Sequence, residues 1–182
     1  RATFASSNTE KIGHNLKFDI SVLQWQGYTV ATPLFDTMLA HSLIEPDQRH
    51  KMDYLAESLL GYTPIPYDTV FGKKEEKTGQ LNLFDDREMA GETEPTGPLF
   101  EAIARYACED ADVTWQLAAI LREKVRESDE EEVLVGIECP LVPVLVAMER
   151  EGIRVDPAVL QETGILLGER IAGFEKAVHA AA

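Results

Sequence analysis

The run from Tyr106 to about Arg126 constrains this chain more than any other stretch. Tyr106, Asp110, Val113, Leu117 and Ile120 recur at alternating steps of four and three residues, which places them on one face of a helix. A helix of that length draws most of its stability from packing, so a core must form against its apolar stripe. One member of the stripe is a carboxylate. Asp110, aligned with Val113 and Leu117, faces loss of hydration and needs a cation, a donor or a metal, unless it is simply a capping or salt-bridged group.

Shorter elements flank this helix. Lys11–Gly13 reads as a strand end, and Asn15 to Gln26 as a helix with Leu16, Ile20 and Leu23 on one side and Gly27 as its stop. Leu34-Phe35 reads as a second strand, followed by a helix from Asp36 to about Leu43. Lys51 to Leu60 has amphipathic helical spacing and ends at Gly61. Thr63-Pro64-Ile65-Pro66 must be extended, because each proline biases its predecessor away from helix. Residues 72–98 are polar, glycine-containing and mixed in charge, which predicts a long exposed loop, with helix returning from Leu99.

The five carboxylates among Glu127 to Glu132 suit a solvated helix start. A further helix, interrupted around Pro140 and Pro143, runs to Glu151. Gly152 ends it, Ile153–Val155 is extended, and Asp156-Pro157 caps a last helix. No internal repeat is visible.

Composition narrows the function. An apolar fraction of 45% supports a buried core. Seventeen basic and 32 acidic residues leave a net charge of −15, which argues against a strong non-specific binder of phosphate backbones. A nucleic-acid substrate then requires few local contacts, bound metal ions or a basic neighbouring domain. Cys108 and Cys139 are too few for a disulfide framework and read as free, buried thiols of a reducing cytosol. The apolar run Cys139 to Met148 is too short to span a bilayer and contains two prolines, and no signal peptide is evident, so no membrane association is expected.

Two stretches carry the chemistry: Gly13-His14-Asn15-Leu16-Lys17-Phe18-Asp19 and Tyr106-Ala107-Cys108-Glu109-Asp110-Ala111-Asp112-Val113-Thr114. In each, a polar or aromatic residue precedes an Asp by four positions, so both share a helix face. These stretches resemble the second and third exonuclease motifs of the DNA polymerase I family, with Tyr106 and Asp110 similar to its tyrosine subclass. Phe35-Asp36-Thr37-Met38-Leu39 and Arg49-His50-Lys51-Met52-Asp53-Tyr54-Leu55-Ala56 also resemble that family, in the same order. So do Cys139-Pro140-Leu141-Val142-Pro143-Val144-Leu145 and Met148-Glu149-Arg150-Glu151-Gly152-Ile153-Arg154-Val155-Asp156, which look like the junction into the polymerase thumb.

The resemblance implies an α/β ribonuclease H-like 3′→5′ exonuclease fold, seen mainly through its helices because early sheet strands are absent. It implies a partial exonuclease domain over 1–135 and the start of the polymerase domain over 136–182. The implied function is proofreading in DNA replication and repair, in the bacterial cytoplasm at the nucleoid, on the single-stranded 3′ end of DNA. In such sites four acids hold two Mg²⁺ or Mn²⁺ ions that drive in-line phosphodiester hydrolysis. By the same resemblance Asp110 ligates one ion directly, Asp19 serves the second through its waters, and Tyr106 orients the attacking water. Asn15 and Arg49 match positions that contact the terminal nucleotides, and Phe18 and Tyr67 match aromatic positions that pack near the bases. Phe18 and Tyr67 also suit ordinary core or loop packing. His14 receives no role.

One part of the pattern is missing. The family's first motif, Asp-x-Glu on an early strand, supplies the other two acids, and residues 1–10 contain no such pair. These residues by themselves are therefore expected not to cleave DNA, and an N-terminally truncated domain is implied. Gln80-Leu81-Asn82-Leu83-Phe84 resembles the peptide by which bacterial replication proteins dock on the sliding clamp, although a local loop anchor explains it as well. Two other readings stay open: a catalytically silent scaffold supporting the polymerase, and a ribonuclease D-like RNA 3′ exonuclease.

Overall fold

Lys11–Gly13 (β1) and Leu34–Asp36 (β2) pair in parallel, with Ile12 opposite Phe35 and Gly13 opposite Asp36. The connection between them carries a helix, Leu16–Trp25, as parallel pairing requires. The computed structural model describes residues 2–71 and 97–181. Most of the expected loop, including Gln80–Phe84, lies outside the described residues. The chain divides into two compact units, Arg1–Ala147 and Met148–Ala182.

In the first unit, α1 (Ala2–Ala5) precedes β1, and α2 is the Leu16–Trp25 helix. After β2 come α3 (Thr37–Ile44), α4 (Met52–Leu55) with a π-helical turn over Ala56–Leu60, α5 (Tyr67–Phe71) and α6 (Pro98–Glu127). Then α7 (Glu131–Val133) runs through a second π-helical turn, Leu134–Glu138, into α8 (Cys139–Glu151). The described residues thus form a mostly helical α/β structure with a two-stranded sheet.

The core forms around α6. Val113, Leu117, Leu121 and Val125 are buried along it, packed with Ile20 of α2, Phe35 of β2, Leu55 of α4 and Val146 of α8. The stripe drifts from the expected line: Leu121 is fully buried whereas Ile120 is only half-buried. The physical reason is the period of 3.6, which the alternating steps of four and three understate, so the buried face passes from Ile120 to Leu121. Truncating Leu117 to Ala at such a site costs roughly 2–5 kcal/mol.

Local details position the elements. A Cβ on Gly13 would come within 2.3 Å of the Leu16 side chain, so any larger residue there would displace that buried leucine. Gly61, at φ 65°, closes the π-helical turn in the left-handed conformation. Arg122 stacks its guanidinium 3.9 Å from the centre of the Phe35 ring and pairs with Glu10.

Three expectations need correcting. The helix expected to break around Pro140 and Pro143 is unbroken as α8: Pro140 lies in its first turn, where no N–H is needed, and Pro143 is carried inside it. Pro98 is the first residue of α6 and not part of a loop, because a proline at the first helical position lacks an N–H that would be unsatisfied anyway. Cys139 is buried but Cys108 is exposed, since it projects from the solvent side of α6, and both are free.

In the second unit, Asp156 Oδ1 accepts the N–H groups of Ala158 at 3.0 Å and Val159 at 3.3 Å and so caps α9 (Pro157–Ala181). None of the described residues of α9 is buried. No helix among the described residues is long and apolar enough to cross a membrane.

Candidate functional site

The loop from β1 enters α2 through Asn15, whose backbone adopts the left-handed conformation at φ 62°, ψ 50°. Asparagine tolerates that conformation better than most residues. The side chain of Asn15 makes no cap to its own helix. Instead the N–H groups of Asn15 and Leu16 donate to the two carboxylate oxygens of Asp36, at 3.1 and 2.7 Å. This fixes the start of α2 against the end of β2. Asp19 then falls in the first turn of α2, where the helix dipole favours a negative charge.

Asp19 opens onto a cleft of about 570 Å³ that is also lined by Gly13, His14, Phe18, Asp110 and Thr114. Residues from α2 and α6 therefore bring two carboxylates, distant in sequence, to one cavity. Both carboxyls are pushed above the usual Asp range. For Asp19 the main cause is lost hydration, with the charge of Asp36 adding to it. For Asp110 lost hydration also dominates, and a hydrogen bond from the Tyr106 hydroxyl works against it. The Tyr106 phenol is raised in turn, first by burial and then by the charge of Asp110.

Asp110 and Met52 also line a second cleft, of about 310 Å³, together with Pro64, Tyr67, Tyr106 and Glu57. Tyr67 stacks on Phe71 at 4.5 Å between ring centres, and Tyr106 meets both rings edge-on, at 6.4 and 5.8 Å. Thr114 Oγ1 lies 3.3 Å from Met52 Sδ, tying α4 to α6 where the two clefts meet. Arg49 and Lys51 line a third cleft that shares Asp53 and Glu57 with the second.

The candidate residues thus distribute over neighbouring clefts. Asp19, Phe18 and Asp110 share the first, and Asp110, Tyr106 and Tyr67 share the second. Arg49 lies on the third, and Asn15 sits at the turn into α2. Phe18 is 65% and Tyr67 49% exposed, so neither ring is taken up by core packing. Sequence reasoning assigned nothing to Glu109, Met52 or Phe71. Glu109 accepts the Ile65 N–H at 2.7 Å and the Tyr62 hydroxyl, an arrangement with no local sequence signal because its partners lie far away in the chain. The Tyr62 phenol is held above its ordinary value chiefly by that bond.

Asp19 and Asp110 offer hard oxygen donors of the kind Mg²⁺ and Mn²⁺ prefer. They fit such ions as part of a ligand set. Among the described residues no three His, Cys, Asp or Glu side chains converge on one point.

Comparison with known proteins identifies the family. A family model described as a 3′-5′ exonuclease matches residues 1–126. The chain is 33% identical over 155 residues to DNA polymerase I of Borreliella burgdorferi, covering 85% of this chain and 15% of that protein. It is 33% identical over 182 residues to DNA polymerase I of Rhizobium leguminosarum, covering 98% and 16%. With DNA polymerase I of Pseudomonas aeruginosa it shares 34% over 177 residues, covering 93% and 17%. The chain spans about a sixth of the length of these relatives. With the family matched over well more than half of its residues, the chain belongs to the 3′-5′ exonuclease family.

Proposed function

We propose that this chain is part of a DNA polymerase I-type enzyme and supplies half of the site that removes nucleotides from the 3′ end of single-stranded DNA. The observation that carries the reading is the meeting of Asp19 and Asp110 in one cleft, with Tyr106 beside Asp110 in the neighbouring cleft. The relatives are DNA polymerase I proteins, which favours DNA over RNA as the substrate. The fold is read as ribonuclease H-like, on the strength of the family match and of the parallel β1–α2–β2 unit. Residues 136–182 are read as the start of the polymerase region, because the family match stops at 126 while the relatives match beyond it.

Asp110 and Asp19 would hold divalent ions together with further acids; such ions activate water and neutralise charge on the leaving 3′ oxygen. The chain's own residues do the rest. The raised phenol of Tyr106 keeps its proton at neutral pH, so it orients a water by hydrogen bonding and does not act as a base. Phe18 and Tyr67 present exposed rings on which bases can stack without regard to sequence, as removal of any mispaired nucleotide requires. Arg49 supplies a cation for a phosphate, and the Asn15 amide supplies donors for a sugar or base.

The test uses the full polypeptide that contains these residues, with 3′-labelled single-stranded DNA and Mg²⁺. Shortening from the 3′ end is expected, and Asp110→Ala should lower its rate by at least about a hundredfold. A folded parent protein that leaves the DNA intact would put a silent scaffold in place of the nuclease.

A further inference from the structure

We propose that Glu109 is a positioning residue: it latches the segment Tyr62–Tyr67 onto the turn of α6 that carries Tyr106 and Asp110, and so sets where the terminal base stacks. This rests on the nuclease reading above. Pro64 and Pro66 have no N–H, which leaves the Ile65 amide as the single backbone donor of Pro64-Ile65-Pro66. Glu109 Oε2 takes that donor at 2.7 Å, and its Oε1 takes the Tyr62 hydroxyl. The two prolines stiffen the segment, so a hold at one amide orients all of it.

The segment leads directly into Tyr67 at the start of α5. Tyr67 and Phe71 form the stacked pair whose edges meet Tyr106. Tyr106, Glu109 and Asp110 occupy one turn of α6, at spacings of three and four, so the latch and the reacting groups share a rigid element. Glu109 therefore fixes the spacing between the Tyr67 ring and the Asp110 carboxylate. It acts through Tyr67 and touches neither DNA nor the scissile bond.

The test compares Glu109→Ala, Glu109→Gln and Tyr62→Phe in the full polypeptide, on 3′-labelled single-stranded DNA with Mg²⁺. Both Glu109 variants remove the same charge, so a difference between them reports the hydrogen bonds alone. A glutamine can still accept from Ile65 through its oxygen and donate to Tyr62 through its nitrogen. Glu109→Ala should raise KM about tenfold and leave kcat within about threefold, the size expected for losing hydrogen bonds to a charged group. Glu109→Gln should recover most of the loss, and Tyr62→Phe should fall between. Equal KM values for Glu109→Ala and Glu109→Gln, or a loss confined to kcat, would overturn the latch. Should the parent protein not hydrolyse DNA, the nuclease reading fails separately. The latch is then judged by hydrogen exchange at the Ile65 amide: faster in Glu109→Ala but not in Glu109→Gln upholds it, and no change in either overturns it.

Discussion

The backbone N–H of Leu16 donates to Asp36 Oδ2 at 2.7 Å, linking the first residue of α2 to the last residue of β2. The other oxygen, Oδ1, accepts from Asn15 at 3.1 Å and from Met38 at 2.9 Å, with Leu39 at 3.4 Å. One buried carboxylate therefore caps the helix that carries Asp19 and the helix that follows it. Asp36 is 1% exposed, so water cannot replace it as an acceptor.

Replacing Asp36 with Ala should accordingly destabilise the fold by about 3 kcal/mol or more, combining lost caps with buried donors left unpaired. Denaturant unfolding of the variant beside the parent measures this. A loss below about 1 kcal/mol would mean the donors find other acceptors. The same substitution removes the charge that helps to raise the Asp19 carboxyl, so Asp19 should titrate at lower pH in any variant that stays folded.

Tyr106→Phe separates the hydroxyl from the ring. The ring contacts with Tyr67 and Phe71 persist, so thermal stability should hold, while the hydrogen bond that stabilises ionised Asp110 is lost. The rate of 3′-end removal by the full polypeptide should drop about tenfold to a hundredfold, as for loss of a group that orients water. The acid limb of the pH–rate profile should move to higher pH, because the Asp110 carboxyl then rises further. A limb that stays in place would separate Tyr106 from Asp110.

Much of this arrangement was legible in the sequence because it is local. The strands at Lys11–Gly13 and Leu34-Phe35, the α2 and α3 helices, the stop at Gly61 and the Asp156 cap all follow from spacing or from one residue's chemistry, whereas the parallel pairing of the strands does not. The meeting of α2 and α6 rested on resemblance, since no pattern within either helix says which partner it packs on. The hold of Asp36 on the start of α2 and the latch by Glu109 were not legible, because each pairs a side chain with backbone donors some 20 or more residues away. The exposure of Cys108 depends on which side of α6 receives its neighbours.

Stability should also depend on pH through two histidines. His14 and His41 are both held below the ordinary histidine value, in each case mainly by burial. Each ring has a neighbour at Nδ1: Thr37 Oγ1 at 2.9 Å for His14, and His50 Nδ1 at 2.8 Å for His41. The His41–His50 contact needs one donor and one acceptor, so protonating both rings breaks it. Below about pH 6.5 the unfolded chain binds protons that the folded chain does not, and stability falls as pH drops through that window. The raised carboxyls of Asp19 and Asp110 act with the opposite slope at lower pH, where stability falls as pH rises above the ordinary Asp value. Thermal unfolding between about pH 5.5 and 7.5 should therefore show a higher Tm at the upper end, and His41→Gln should flatten the slope. A slope unchanged in His41→Gln would mean that His41 is not held neutral by the fold.

A polypeptide of these 182 residues alone should not shorten DNA, even when folded and supplied with Mg²⁺. Two divalent ions bring four positive charges, and Asp19 with Asp110 offsets only two of them. The carboxyls in question are already disfavoured as anions, Asp110 by partial burial and the exposed Asp19 by reduced hydration and the charge of Asp36, so weak, single-ion binding is the expected result of calorimetric titration with Mn²⁺. Supplying further carboxylates in trans should raise both the affinity and the stoichiometry, and it should bring hydrolysis with them. Detectable Mg²⁺-dependent shortening by the 182-residue polypeptide, abolished by Asp110→Ala, would show instead that two carboxylates suffice. The four-acid requirement would then fall.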